Sequence, residues 1–166
     1  MSQNSEIIGY LNDLIETCKD SEKGFREAAA SVGKDGESRL RTLLNLHSQE
    51  RAEFAAELQN EVLRRGGEPE ESGHASATLQ RRWLGLKLEL KAGPDYADTG
   101  DYEVEVLTNC EAGEKVAMEN YEAILKQTLP ADLRSMLESQ YSKIRQADER
   151  LRLLSMEYKQ RESISS

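Results

Sequence analysis

An all-α four-helix bundle, built as two antiparallel hairpins joined by a long crossover, is the architecture this sequence predicts. Three observations lead there. Charged residues make up 32% of the 166 and aromatics only 5%, and the abundant residues are Ala, Leu, Glu, Lys, Arg and Gln, the side chains that lose least freedom on entering a helix. Four long segments carry apolar side chains at helical spacing. The lapses between them coincide with Pro69, Pro94 and Pro130 and with Gly33 and Gly36, residues that end helices rather than continue them.

The first helix is predicted over about residues 4–32, on the stripe Ile7, Leu11, Leu14, Cys18, Phe25, Ala29 and Val32. The second covers about 37–65 on Leu40, Leu43, Phe54, Leu58 and Val62, and a shorter helix is predicted over about 76–91 on Leu79, Trp83, Leu86 and Leu90. The third covers about 99–127 on Val106, Leu107, Cys110, Ala117, Tyr121, Ile124 and Leu125. The fourth covers about 131–160 on Leu133, Leu137, Tyr141, Ile144, Leu151, Leu154 and Tyr158. Each of the long helices has a face to bury and a length of about 40 Å at 1.5 Å per residue, which suits a bundle.

Short turns, VGKDGE and QTLPAD, make hairpins of the first and second helices and of the third and fourth. Residues 66–100, with the glycine-rich GGEPEESGH and the short helix, are long enough to cross the bundle from end to end. Two hairpins joined by one long crossover is the connectivity of ferritin-like bundles. Residues 1–166 read as a single domain of this kind.

With 22 basic and 31 acidic residues the net charge is −9, which repels a phosphate backbone or an anionic membrane surface and argues against nucleic acid and membrane as partners. Arg134, Lys143, Arg145, Arg150, Arg152, Lys159 and Arg161 on the fourth helix are interleaved with Glu138, Asp148, Glu149 and Glu157, the pattern of a solvated face. Cys18 and Cys110 each fall among apolar residues and read as buried free thiols. The start, MSQNSEIIGYL, lacks a basic stretch leading into an apolar run, and no segment is long enough to span a membrane, so a cytoplasmic location is expected. His74 reads as exposed and Trp83 as packed against the bundle. No helix is apolar all round, so a homodimer and a monomer are both allowed. Nothing resembles a phosphate loop, a Ser-His-Asp arrangement or a Cys-His nucleophile, and no catalytic residue is assigned.

Chemistry points instead to carboxylates. Cys18-Lys-Asp-Ser-Glu22-Lys in the first helix is echoed by Cys110-Glu-Ala-Gly-Glu114-Lys in the third. Glu22 and Glu114 follow stripe cysteines by one turn and are expected to face the bundle axis, where an ionised carboxylate needs a counter-charge, a hydrogen-bond network or a metal. The second helix adds Glu50 and Glu53, three residues apart and so on one face, with His47 read as a core or boundary histidine rather than a ligand.

The stretch Gly113-Glu114-Lys-Val-Ala117-Met-Glu-Asn-Tyr121 resembles the GE-x-x-A-x-x-x-Y helix of rubrerythrin-type ferritin-like proteins. Over about residues 6–156, from LNDLIETCKDSEKGFREAA to DERLRLL, the chain resembles a group of uncharacterised bacterial ferritin-like four-helix-bundle proteins. A di-iron carboxylate bundle takes a Glu from each of two helices and Glu-x-x-His from each of the other two. The resemblance therefore implies Glu22, Glu50, Glu53 and Glu114 as candidate ligands of iron or manganese, with Glu53 standing where a histidine is expected. On the fourth helix the ligand positions fall on Ile144 and Ala147, which coordinate nothing; only Asp148 could turn inward beside them. Two functions follow. One is a non-catalytic bundle with a degenerate site, acting in stress response or through helix association. The other is a metal-dependent oxidoreductase or iron-handling protein using the inward glutamates.

Overall fold

The computed structural model describes residues 3–32, 38–70 and 101–165. Four helices run through them: α1 Gln3–Ser31, α2 Ser38–Arg64, α3 Asp101–Leu125 and α4 Ala131–Ser165. No strand occurs among the described residues. The short helix expected at 76–91, with Trp83, and His74 lie outside them. The expected ends hold to within a residue or two except at α4, which runs to Ser165 rather than to 160. The apolar stripe ends at Tyr158, but Lys159, Gln160, Arg161 and Glu162 are all good helix formers, and no proline or glycine follows to stop them.

α1 packs along α2, α3 along α4, and α1 also along α3. The hairpin ends are held by specific groups. After α2, Gly66 adopts φ +81°, Gly67 N–H donates to Val62 C=O at 3.0 Å and Gly66 N–H to Leu63 C=O at 3.0 Å. This pair of bonds terminates the helix with its last carbonyls satisfied, and it needs a residue that tolerates left-handed backbone. Beyond the turn, Asn12 of α1 holds the chain on both sides: its Nδ2 donates to Glu68 C=O at 3.2 Å and its Oδ1 accepts from Glu70 N–H at 2.9 Å. At the other hairpin Arg134 donates to the carbonyls of Leu125 and Gln127 at 2.8 and 2.7 Å, placing a cation on the negative end of α3.

The interior divides into two apolar clusters. One holds Leu11, Leu14, Phe54, Leu58, Tyr121, Leu137 and Ile144; the other holds Phe25, Val32, Leu40, Leu44, Leu107, Leu151 and Tyr158. Between the two sets each helix places a small or polar buried residue: Ser21 on α1, His47, Ser48 and Arg51 on α2, Glu114 on α3, beside the apolar Val116, and Ala147 on α4. A polar layer thus crosses the bundle between the two apolar clusters.

Candidate functional site

Arg51 and Glu114 face each other across this layer, both side chains with 0% exposure. Both terminal nitrogens of the guanidinium donate to the carboxylate, Nη1 to Oε1 and Nη2 to Oε2, the latter at 2.6 Å. This two-pronged geometry is the strongest pairing these groups make. Phe25 and Phe54 flank the cation, their ring centres 5.4 and 5.9 Å from its Cζ, so the charge meets two π faces where water is excluded. Burial opposes the charge on Arg51, but the Glu114 carboxylate against it holds its pKa above the ordinary guanidinium value. Burial likewise pushes the Glu114 carboxyl up, against the pull of Arg51.

His47 lies one turn from Arg51, its ring 5.5 Å from that of Phe25. Burial, then the positive charges of Arg51 and Arg150, lower its pKa to about 4, so it is neutral at ordinary pH, as expected of a core histidine. Below the layer, Tyr121 Oη donates to Gln140 Oε1 at 2.7 Å and lies 3.2 Å from Cys18 Sγ. Both cysteines are free and buried, as the sequence predicts. Burial pushes the Cys18 thiol up to about 11 and the Cys110 thiol higher still, so neither is a ready nucleophile.

Of the four carboxylates expected inside, the structure brings one to the axis. Glu114 is buried; Glu22 is half-buried, its side chain 31% exposed and 3.8 Å from Arg26 on its own helix. Glu50 is half-buried and Glu53 exposed. The inward positions are taken by Ser21 in place of Glu22 and by Arg51 in place of Glu50 and Glu53. A step of one residue turns a side chain by about 100° around the helix, which is enough to move Glu22 and Glu50 off the axis. Ile144 and Ala147 are buried, as the alignment with the ligand positions implies. Asp148 does not turn onto the axis: it is half-buried and pairs with Arg152 at 3.8 Å.

Among the described residues, no group of three or more His, Cys, Asp or Glu side chains could hold a metal ion. As arranged, the layer does not fit a di-metal centre. Its one axial carboxylate is already engaged at both oxygens, and a dication there would lie against the Arg51 guanidinium.

A family model described as a domain of unknown function, DUF2383, matches residues 6–127. The chain belongs to the DUF2383 family. Among solved structures, this DUF2383 chain is similar to a protein described as a dodecameric thioferritin, the bacterioferritin-related protein from Bacteroides fragilis, with a TM-score of 0.72 and 16% identity over 97% of this chain and 91% of that one. At that identity the likeness shows the fold, which is ferritin-like, and the α1–α2 and α3–α4 hairpins agree with it. No protein with a curated description matches the sequence.

Sequence reasoning missed Arg51, and a signal for it exists. Leu40, Leu44, His47, Arg51, Phe54 and Leu58 follow one another at intervals of three or four, so Arg51 lies on the buried stripe of α2. Reading the stripe through Leu43, which is only half-buried, turns the helix enough to bring Glu50 inward instead.

Proposed function

We propose that this chain is a non-catalytic ferritin-like bundle that works through association of its helices, with Arg51 as the resident cation where metal-binding carboxylate bundles hold their ions. The observation that carries this reading is the two-pronged Arg51–Glu114 pair at zero exposure. A fixed guanidinium neutralises a buried carboxylate without offering an open coordination position, a redox couple or a proton at neutral pH. Of stress response and association, the two roles the sequence leaves, exposed leucines on α2 and α4 favour association. Two reduced, buried thiols suit a reducing compartment such as the cytoplasm.

The competing reading is iron or manganese handling through Glu22, Glu50, Glu53 and Glu114. Its support is the echo between α1 and α3 and a structural neighbour whose description names a thioferritin. It requires Arg51 to leave the axis and three further carboxylates to turn inward. Metal analysis of protein purified anaerobically from iron- and manganese-rich culture separates the two. The proposed function predicts no stoichiometric metal; a pair of iron or manganese ions per chain, lost in Glu114→Ala, overturns it.

A further inference from the structure

An apolar groove of about 490 Å³ runs between α2 and α4 at the end of the bundle where α2 begins. On α2 its wall is Arg39, Thr42, Leu43 and Leu46; on α4 it is Arg150, Leu153, Leu154 and Glu157. Both sets follow the spacing i, i+3, i+4, i+7, the stripe a helix presents to another helix. Leu46 and Leu153 are each 53% exposed, and Met156, one turn beyond Leu153, is 58% exposed. These are three of the few large apolar side chains exposed among the described residues. Arg150 and Glu157 are exposed, and neither has an ion-pair partner among the described residues.

We infer that this groove is a self-association surface, on which a second copy of the chain docks with its α4 antiparallel to the first. The charge pattern selects that occupant. Arg150 and Glu157 stand seven residues apart on one line of the helix, about 10 Å along its axis, with Leu153 and Leu154 between them. A two-fold axis through the midpoint sets Arg150 of each copy opposite Glu157 of its partner and the exposed Leu153 side chains against each other, with the buried Leu154 forming the groove floor. The α4 edge is therefore complementary to itself, as an isologous interface must be. This deepens the association reading and rests on it, but it can fail while the metal-free reading stands, because the test measures mass and not metal.

The test is the mass of the full chain in solution, by light scattering and sedimentation from low micromolar to submillimolar concentration, for the wild type and for charge swaps. The wild type is expected to dimerise. Arg150→Glu and Glu157→Arg each set like charges opposite one another and are expected to raise the dimer dissociation constant by about tenfold or more. The double swap restores the complementary pairs and the dimer. An equimolar mixture of the two single variants is also expected to form dimers, because the carboxylate introduced at position 150 of one then meets the guanidinium introduced at position 157 of the other. Circular dichroism and the melting temperature check that each variant is folded; exposed changes of this kind leave the fold intact. A wild type that stays monomeric, with the groove covered by residues 71–100 or by another protein, overturns the inference. So do single swaps that remain dimeric, or a mixture of the two that stays monomeric.

Discussion

Arg51 grips Glu114 with both ends of its guanidinium in the centre of the bundle, where each side chain has no exposure to water. A buried charge pair of this kind adds little net stability, because the cost of removing two charges from water offsets most of their attraction. Removing one partner, however, strands the other. Arg51→Met is therefore expected to lower unfolding stability by about 3–5 kcal/mol, and Glu114→Leu by a similar amount. Combining the two changes should recover most of that loss, since an apolar pair of similar volume suits the layer between Phe25 and Phe54. Denaturant unfolding of the two singles and the double, read as a double-mutant cycle, checks this; additive losses would contradict it.

His47 makes the bundle sensitive to acid. Its folded-state pKa is about 4 against an ordinary 6.5, so below 6.5 the unfolded chain takes up a proton that the folded chain refuses. Stability is full above 6.5 and falls by up to about 1.4 kcal/mol per pH unit as pH drops toward 4. Asp20 acts in the opposite sense: burial, with Glu16 beside it, raises its folded pKa from 3.8 to about 6, so acidification over that window favours the folded state. The difference between wild type and His47→Leu isolates the histidine. The variant is expected to lose less stability between pH 6.5 and 4 than the wild type.

The thiols report on opening of the bundle. Cys18 and Cys110 are fully buried with pKa values raised by burial, so neither is expected to react with an aromatic disulfide reagent at mildly alkaline pH in the native protein. Both should react in denaturant, and native-state labelling should follow the rate or extent of unfolding. Fast stoichiometric labelling of either residue would contradict the packing described.

The turn after α2 depends on Gly66, whose φ of +81° is unfavourable for any residue with a Cβ. Gly66→Ala is expected to cost about 1 kcal/mol. Gly67→Ala meets a different obstacle, because its Cβ would lie 2.9 Å from two carbons of Ile8. Melting temperatures of both variants should fall, with the Gly67 change relieved by Ile8→Ala, which removes both carbons, and the Gly66 change not.

The fold was legible because its signals repeat. Prolines and glycines punctuate the chain at the breaks, and each stripe repeats over about five to seven turns, so one ambiguous position cannot shift a helix. The layer was harder to read because each of its members is a single position. From Cys18 to Phe25 the inward residue can be Ser21 or Glu22, since both satisfy spacings of three and four to each side; packing chose serine. Glu114 had no such competitor, as Gly113 offers no side chain, and it is where the sequence placed it. On α2, neighbouring charged residues hid the stripe, and Arg51 looked like surface because arginine almost always is. The three-and-four spacing through Leu44, His47 and Phe54, read together with the cation that Glu114 demands, singles it out.

The central claim, that the interior cation is Arg51, is tested most directly by anomalous diffraction from crystals of the wild-type chain grown with manganese. The expected result is guanidinium density spanning both oxygens of Glu114 and no anomalous peak in the layer of Ser21, Arg51, Glu114 and Ala147. A manganese peak bridging Glu114 and Glu22, Glu50 or Glu53, with Arg51 displaced toward solvent, would contradict it.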